Sequence, residues 1–116
     1  MKPIATEKTL ALLTSRRQQI VVTLQHLDKE QNEVEHNTDW LDQAAFENRL
    51  GLLDRLHFWY QSELAQVDKA LDRIQRGGYG NCVACHAPIE AARLDAVPTA
   101  EYCAACQESR EALGCA

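Results

Sequence analysis

The spacing of apolar residues along the chain predicts two long helices. From about Glu7 to Glu35, and again from about Trp40 to Arg76, apolar side chains recur at alternating steps of three and four residues. This spacing places them on one face of a helix as a heptad repeat. The heptad positions are Leu10, Leu13, Ile20, Leu24, Leu27 and Val34 in the first helix, where Arg17 and Gln31 occupy the two remaining positions, and Phe46, Leu50, Leu53, His57, Tyr60, Leu64, Val67, Leu71 and Ile74 in the second.

A short polar segment, residues 35–39, separates the two patterns and predicts a turn, with Thr38 or Asp39 capping the second helix. Two heptad helices joined by so short a turn pair antiparallel within one chain. We therefore expect a monomer with an all-α dominated fold, in which residues 7–77 form a long antiparallel coiled-coil hairpin whose tip is residues 36–44.

Two further features of the second helix lead to structural predictions. Leu52, Leu56 and Trp59 form a second apolar stripe, which predicts that another segment, the cysteine-rich one, packs there. His57 occupies a heptad position with no cysteine or histidine at ligand spacing around it, so we expect a hydrogen-bonded interfacial histidine rather than a metal ligand.

Four cysteines follow the second helix in two Cys-x-x-Cys pairs. Gly77-Gly78-Tyr79-Gly80 ends the helix, and seventeen residues then separate the two pairs, a spacing typical of four-cysteine zinc sites. The alternatives are two disulfides or a redox-active dithiol pair. Four sulfur ligands leave no position for a catalytic water, so we expect one structural Zn²⁺ per chain. The predicted ligands are Cys82, Cys85, Cys103 and Cys106.

The second predicted domain, residues 78–113, is this four-Cys zinc finger with a short C-terminal helix from about Ala104 to Leu113, which Gly114 ends. The fifth cysteine, Cys115, lies outside both pairs, and we expect a free thiol with no assigned role.

Composition and charge narrow the possible functions. The N-terminus lacks the apolar core of a signal peptide and no apolar run is long enough to span a membrane, so we expect a cytoplasmic protein. That compartment favours zinc thiolates over disulfides. A net charge of −5 argues against binding nucleic acid by neutralising phosphates. We find no nucleophile–base pair, open metal site or phosphate-binding loop in the sequence, so we do not expect an enzyme.

The negative charge is concentrated around the predicted tip. Residues 28–47 contain seven acidic residues and one basic residue, Lys29. One interpretation is a solvated turn with acids that cap a helix. The other is an acidic probe that reaches a metal ion or basic groups inside a partner.

The chain resembles the DksA/TraR family in both regions. The run from Ala70 to Cys82, with Ile89, Ala92-Arg93-Leu94, Pro98 and Cys103 to Gln107, is similar to the family's zinc finger. Asp39, Asp42 and Ala44 match its D-x-x-D-x-A tip motif, forty residues before the finger. The resemblance covers residues 7–113, although the region before the first helix is shorter than in full-length DksA.

This resemblance implies a bacterial transcription regulator that binds RNA polymerase through its secondary channel. The tip, with Asp39, Asp42 and Ala44 as its functional residues, would point toward the polymerase active site and change open-complex stability. The four cysteines would ligate zinc, and no sequence-specific contact with promoter DNA is implied. The alternatives from the residues alone are a zinc-finger adaptor, or a redox- or zinc-responsive interaction module without a polymerase role.

Four positions depart from the family pattern. Basic side chains that help the best-known members bind guanosine tetraphosphate are replaced here by Gln66, Val97 and Gln107, which argues against dependence on this alarmone. His86 follows the second cysteine where glycine is common, and with all four cysteines present we do not expect it to be a ligand.

Overall fold

The computed structural model describes residues 7–36 and 42–113, and these residues form four helices. They are α1 (Glu7–His36), α2 (Gln43–Arg76), α3 (Ala91–Ala96) and α4 (Ala104–Ala112). Extended pairing within the described ranges is limited to one antiparallel bridge between Asn81 and Pro88. The predicted all-α dominated fold is confirmed. None of the helices in these ranges is long and apolar enough to cross a membrane.

Helix α2 begins at Gln43, three residues later than the predicted start at Trp40. The reason is Asp42, whose Oδ1 accepts a hydrogen bond from the Ala45 N–H at 2.7 Å. The carbonyl of Asp42 also accepts the first helical bond, from the Phe46 N–H at 3.0 Å. Asp42 is therefore the N-cap of α2. The predicted caps, Thr38 and Asp39, lie outside the described residues.

The glycines after Arg76 end α2 as predicted. The Gly78 N–H donates to the carbonyl of Arg73 at 2.9 Å, and the Gly77 N–H donates to that of Ile74 at 3.4 Å. This pair of bonds is the Schellman arrangement, which requires a left-handed residue directly after the helix. Gly77 supplies it with φ +84°, and glycine adopts that conformation without steric cost.

The chain divides into two compact units, and the boundary runs across both long helices. The helical unit is the described part of Arg16–Ala65, and the cysteine unit combines the described residues of Met1–Ser15 with those of Gln66–Ala116. The sequence placed its boundary after residue 77. In the division into compact units, the last part of α2 belongs to the same unit as the cysteines, and the domain boundary after residue 77 stays a prediction.

The helical unit contains an antiparallel helix pair. Across its three interhelical ion pairs, the residue number on α1 rises while that of the partner on α2 falls, as expected for antiparallel helices. They are Arg16–Glu63, Asp28–His57 and Glu30–Arg49. In the first, the guanidinium donates to both carboxylate oxygens of Glu63, at 2.5 and 2.7 Å.

The core of the helical unit follows the predicted heptad repeat. Ile20, Leu27 and Val34, seven residues apart along α1, are all buried, and Leu53 of α2 is 1 % exposed. Partly buried side chains complete this core around Leu27, Val34 and Leu53: Leu24, Phe46, Leu50, Leu56 and Tyr60. The predicted pairing faces are confirmed.

The prediction that a further segment covers the second apolar stripe is wrong. Leu56 packs against the core, but Leu52 is 37 % exposed and Trp59 is 68 % exposed. Because each helical residue advances by about 100°, Leu56 lies about 60° from the buried Leu53 and Trp59 about 120° away. Leu56 therefore borders the core, whereas Trp59 lies on the solvent side of α2.

The cysteine unit has its own core, built from both helical and loop residues. Its buried apolar side chains come from the first turns of α1, the second half of α2 and the segment that follows. They are Leu13, Val67, Ala70, Tyr79, Cys82, Ile89, Leu94 and Ala100. This core extends directly to the first of the four cysteines.

Candidate metal centre

The two Cys-x-x-Cys pairs meet in the cysteine unit. The sulfur atoms of Cys82, Cys85, Cys103 and Cys106 all lie within 4.8 Å of one another. All four are free thiols, so the disulfide alternative is not realised in the described chain. Cys82 is 1 % exposed and Cys85 is exposed, so the cluster has one sulfur in the core and one at the surface.

The first pair is held by a tight turn of the backbone. The His86 N–H donates to the Cys82 carbonyl, and the Cys82 N–H donates to the Ala87 carbonyl, at 2.9 and 2.8 Å. His86 closes the turn with φ +63°, in the left-handed region where glycine is favoured. The structure thus explains why glycine suits this position, and the His86 side chain is not part of the sulfur cluster.

The second pair lies at the start of α4. Cys103 is its N-cap residue, and its carbonyl accepts a hydrogen bond from the Gln107 N–H at 2.9 Å. Cys106 follows within the first turn of that helix. The Val83 N–H donates to the Glu101 carbonyl at 2.9 Å, which joins the first cysteine turn to the chain just before the second.

Side chains hold the connecting segment in place. The Tyr79 hydroxyl donates to the Pro98 carbonyl at 2.8 Å, and Arg93 Nε donates to the Tyr102 carbonyl at 3.0 Å. The Arg110 guanidinium lies 4.4 Å from the centre of the Tyr102 ring, a cation–π contact. Sequence reasoning placed Tyr79 and Arg93 in the family motif without a role. Only the fold shows that both donate hydrogen bonds to backbone carbonyls of the segment that leads to the second pair.

The cluster has the dimensions that zinc requires. A tetrahedron with Zn–S bonds of about 2.3 Å has sulfur–sulfur edges of about 3.8 Å. Cys85 Sγ and Cys103 Sγ are 3.7 Å apart. Four sulfur donors at this spacing fit a soft, tetrahedral ion, and they would fill its coordination shell.

The thiols of the cluster do not ionise equally. Burial opposes ionisation of Cys82, but hydrogen bonds from the backbone N–H groups of Cys85, Cys103 and Ala84 outweigh it and lower the pKa of Cys82 to about 6. Hydrogen bonds with the neighbouring sulfurs raise the pKa of Cys106 to about 12. The backbone thus favours the thiolate of Cys82, whereas the neighbouring sulfurs favour the protonated form of Cys106.

The tip residues fall partly outside the described chain. Asp42 and Ala44 are exposed at the start of α2. Asp39 and Cys115 lie outside the described residues. The structure therefore places Asp42 and Ala44 within one turn of each other, and their relation to Asp39 is a prediction.

The three positions at which the resemblance implies a loss of basic residues lie together in the cysteine unit. Gln66, Val97 and Gln107 line one groove of about 540 Å³. The same groove carries charged side chains of both signs: Lys69, Arg93, Arg110, Glu101 and Glu111.

Comparisons with known proteins agree with this arrangement. The family described as "Prokaryotic dksA/traR C4-type zinc finger" matches residues 77–112. The RNA polymerase-binding transcription factor DksA of Caulobacter vibrioides is 36 % identical over 89 residues, which cover 77 % of this chain and 61 % of that protein. The DksA of Escherichia coli K12 is 28 % identical over 95 residues, 82 % of this chain and 61 % of that protein.

A solved structure extends the similarity to nearly the whole chain. The transcription factor DksA2 from Pseudomonas aeruginosa is 30 % identical, with a TM-score of 0.83 over 93 % of this chain and 84 % of that chain. The match to the curated DksA proteins spans about three-fifths of their length. Because the four cysteines cluster and belong to a segment that matches a C4-type zinc finger, they form the site of one structural zinc. The finger match and the likeness to DksA2 together show that this chain belongs to the DksA/TraR family.

Proposed function

We propose that the protein is a transcription factor that binds RNA polymerase. The observation that carries the proposal is the likeness to DksA2 over both the helix pair and the cysteine cluster, since it covers 93 % of the chain. The name of the Caulobacter relative, an RNA polymerase-binding transcription factor, supports polymerase as the partner.

In this proposal the tip acts inside the secondary channel of the polymerase. Asp39, Asp42 and Ala44 are its functional residues, and the two carboxylates alter the lifetime of the open complex by placing negative charge near the active site. Asp42 is exposed and fixed by its capping bond to the Ala45 N–H at 2.7 Å. A carboxylate held at the end of a helix reaches a partner without losing further side-chain entropy.

The zinc has a structural role in the same proposal. Cys82, Cys85, Cys103 and Cys106 are its ligands, and it crosslinks the turn after α2 to the start of α4. A closed four-sulfur shell supplies no catalytic water. The metal therefore stabilises the cysteine unit, and the chemistry of transcription stays with the polymerase.

The double variant Asp39→Asn/Asp42→Asn tests the tip. Asparagine caps a helix about as well as aspartate, so the variant should fold and bind core polymerase like wild type. With two negative charges removed, it should fail to change open-complex lifetime and transcript output in transcription in vitro.

A matched control removes two acids elsewhere. Asp54→Asn/Glu108→Gln changes the net charge equally at two exposed positions and should regulate normally. If the tip variant regulates like wild type, the carboxylates are helix caps only. If the wild type does not bind core polymerase at all, the adaptor or redox-responsive alternative is favoured.

A further inference from the structure

The four zinc ligands differ in how accessible they are from solvent. Cys82 is 1 % exposed, Cys103 and Cys106 are half-buried, and Cys85 is exposed. The residues next to Cys85 are exposed as well, without a break from position 83 to position 88. We call residues 83–88 the exposed turn. A molecule from solvent can therefore approach Cys85 without displacing a buried side chain.

The other three ligands are held more firmly by the cysteine unit. Cys82 is part of its buried core, and the Cys82 N–H donates to the Ala87 carbonyl at 2.8 Å. Cys103 is the N-cap residue of α4, and Cys106 lies in the first turn of that helix. Moving either sulfur away from the ion would therefore disturb the start of α4. Cys85 belongs to no helix, so its sulfur can move with a change in the exposed turn alone.

The exposed turn itself contains no acidic residue, and its ionisable side chains are those of Cys85 and His86. The backbone of Val83 in this turn is bonded to that of Glu101, but the Glu101 carboxylate lies 4.0 Å from a guanidinium nitrogen of Arg73 and is paired with it. No carboxylate of the turn therefore repels an anion that approaches Cys85. Thiolate sulfur is an anionic ligand that zinc prefers.

We propose that Cys85 is the ligand at which zinc is exchanged, and that the exchanging molecule is a low-molecular-weight thiol. In this step the sulfur of the incoming thiol forms a bond with the metal, and the bond between the metal and Cys85 breaks. The proton that the incoming thiol loses is balanced by the proton that Cys85 takes up from water, and no sulfur is oxidised or reduced. Further thiols then replace the other three ligands in the same way.

The other routes of zinc loss require more of the fold to open. Release of Cys82 first would expose the buried core, and release of Cys103 or Cys106 first would disturb α4. Exchange at Cys85 leaves the core, α4 and the helical unit in place during the first step. The zinc content of the protein would then follow the concentration of thiols around it. This inference goes beyond the proposed function, since it concerns the metal and not the polymerase.

The first test identifies the sulfur that leaves the metal first. Zinc-loaded Cys115→Ser protein, which lacks the fifth thiol, is exposed to glutathione without oxygen and labelled briefly with excess N-ethylmaleimide. Peptide mass spectrometry should find the label on Cys85 before it appears on the other three ligands. Earlier labelling of Cys82, Cys103 or Cys106 would overturn the inference. Simultaneous labelling of all four would also overturn it, because the cysteine unit would then open as a whole.

The second test measures the rate at which zinc passes from the full chain to a chromogenic chelator. This rate should rise in proportion to the glutathione concentration, whereas S-methylglutathione, which has no free thiol, should not change it. Circular dichroism should show that the helices of the helical unit remain folded throughout. A rate that does not depend on glutathione would overturn the inference, because opening of the cysteine unit would then limit release. Neither test involves polymerase, so the proposed function stands or fails separately.

Discussion

His57 shows how a polar side chain is accommodated between two packed helices. Its Nδ1 contacts the Leu53 carbonyl at 2.9 Å, and its Nε2 lies 2.6 Å from Asp28 Oδ1 on α1. Both ring nitrogens are therefore partnered, as the sequence predicted for an interfacial histidine. The hydrogen bond to Asp28, followed by that to Leu53, raises the pKa of His57 above its ordinary value. The imidazolium form, which donates from both nitrogens, is the one that this environment favours.

This arrangement predicts a pH-dependent contribution to stability. Because the pKa of His57 is raised on folding, the contribution is fully present below the unfolded value of about 6.5 and is lost as pH rises through the higher folded value. Asp28 is largely exposed, so the effect should be below about 1 kcal/mol. Urea unfolding of the zinc-loaded protein at several pH values should show it. Asp28→Asn should reduce it.

The control for this experiment is Glu33→Gln, which removes an exposed acid from the same helix. Its unfolding free energy should change with pH as that of wild type does. Asp54 also raises the pKa of His57 through its charge, so part of the dependence should remain in Asp28→Asn. An identical pH dependence in Asp28→Asn and wild type would show that the pair contributes nothing.

At the scale of single elements, the ends of α2 are fixed by local hydrogen bonds and its middle by packing. Asp42 caps the start, and the Schellman bonds to Arg73 and Ile74 close the end. The cysteine turns are different, because α3 and α4 contain six and nine residues and neither is stable alone. Their order depends on contacts with Tyr79 and Tyr102 and on the zinc.

Loss of one zinc ligand should therefore destabilise the cysteine unit and leave the helical unit folded. Residues 16–65 contain no cysteine, and their core does not involve the metal. Cys103→Ser should bind zinc much more weakly and lose α4, while most of the helical circular dichroism, which comes from α1 and α2, remains. Elemental analysis should give one zinc per wild-type chain. Freshly prepared wild type without zinc, or complete loss of helix in the variant, would contradict this prediction.

At the scale of the whole molecule, we predict a monomer. The ion pairs Arg16–Glu63 and Asp28–His57 join α1 and α2 of the same chain, so pairing of the helices needs no partner. Sedimentation equilibrium at micromolar concentration should give the mass of one chain. A stable dimer would contradict this prediction and favour the adaptor alternative.

The sequence predicted the parts of this molecule that depend on periodicity and spacing. The seven-residue interval of Ile20, Leu27 and Val34 and the two Cys-x-x-Cys pairs are read directly from the chain. The start of α2 was placed too early because both Asp39 and Asp42 are good caps and local preference does not choose between them. The exposure of Trp59 was missed because hydrophobicity does not tell whether another element is available to cover a side chain.

Asp42 combines a capping role with a proposed functional role, and different substitutions at this position would separate the two. Under the proposed function, a substitution of Asp42 would have two separate effects, one on the start of α2 and one on the contact of the tip with the polymerase. A descendant that no longer bound a polymerase would still favour Asp, Asn, Ser or Thr at position 42, since any of them begins the helix. A capping residue at position 42 would therefore indicate only that the helix starts there. A negative charge at that position would be needed to indicate the proposed function of the tip.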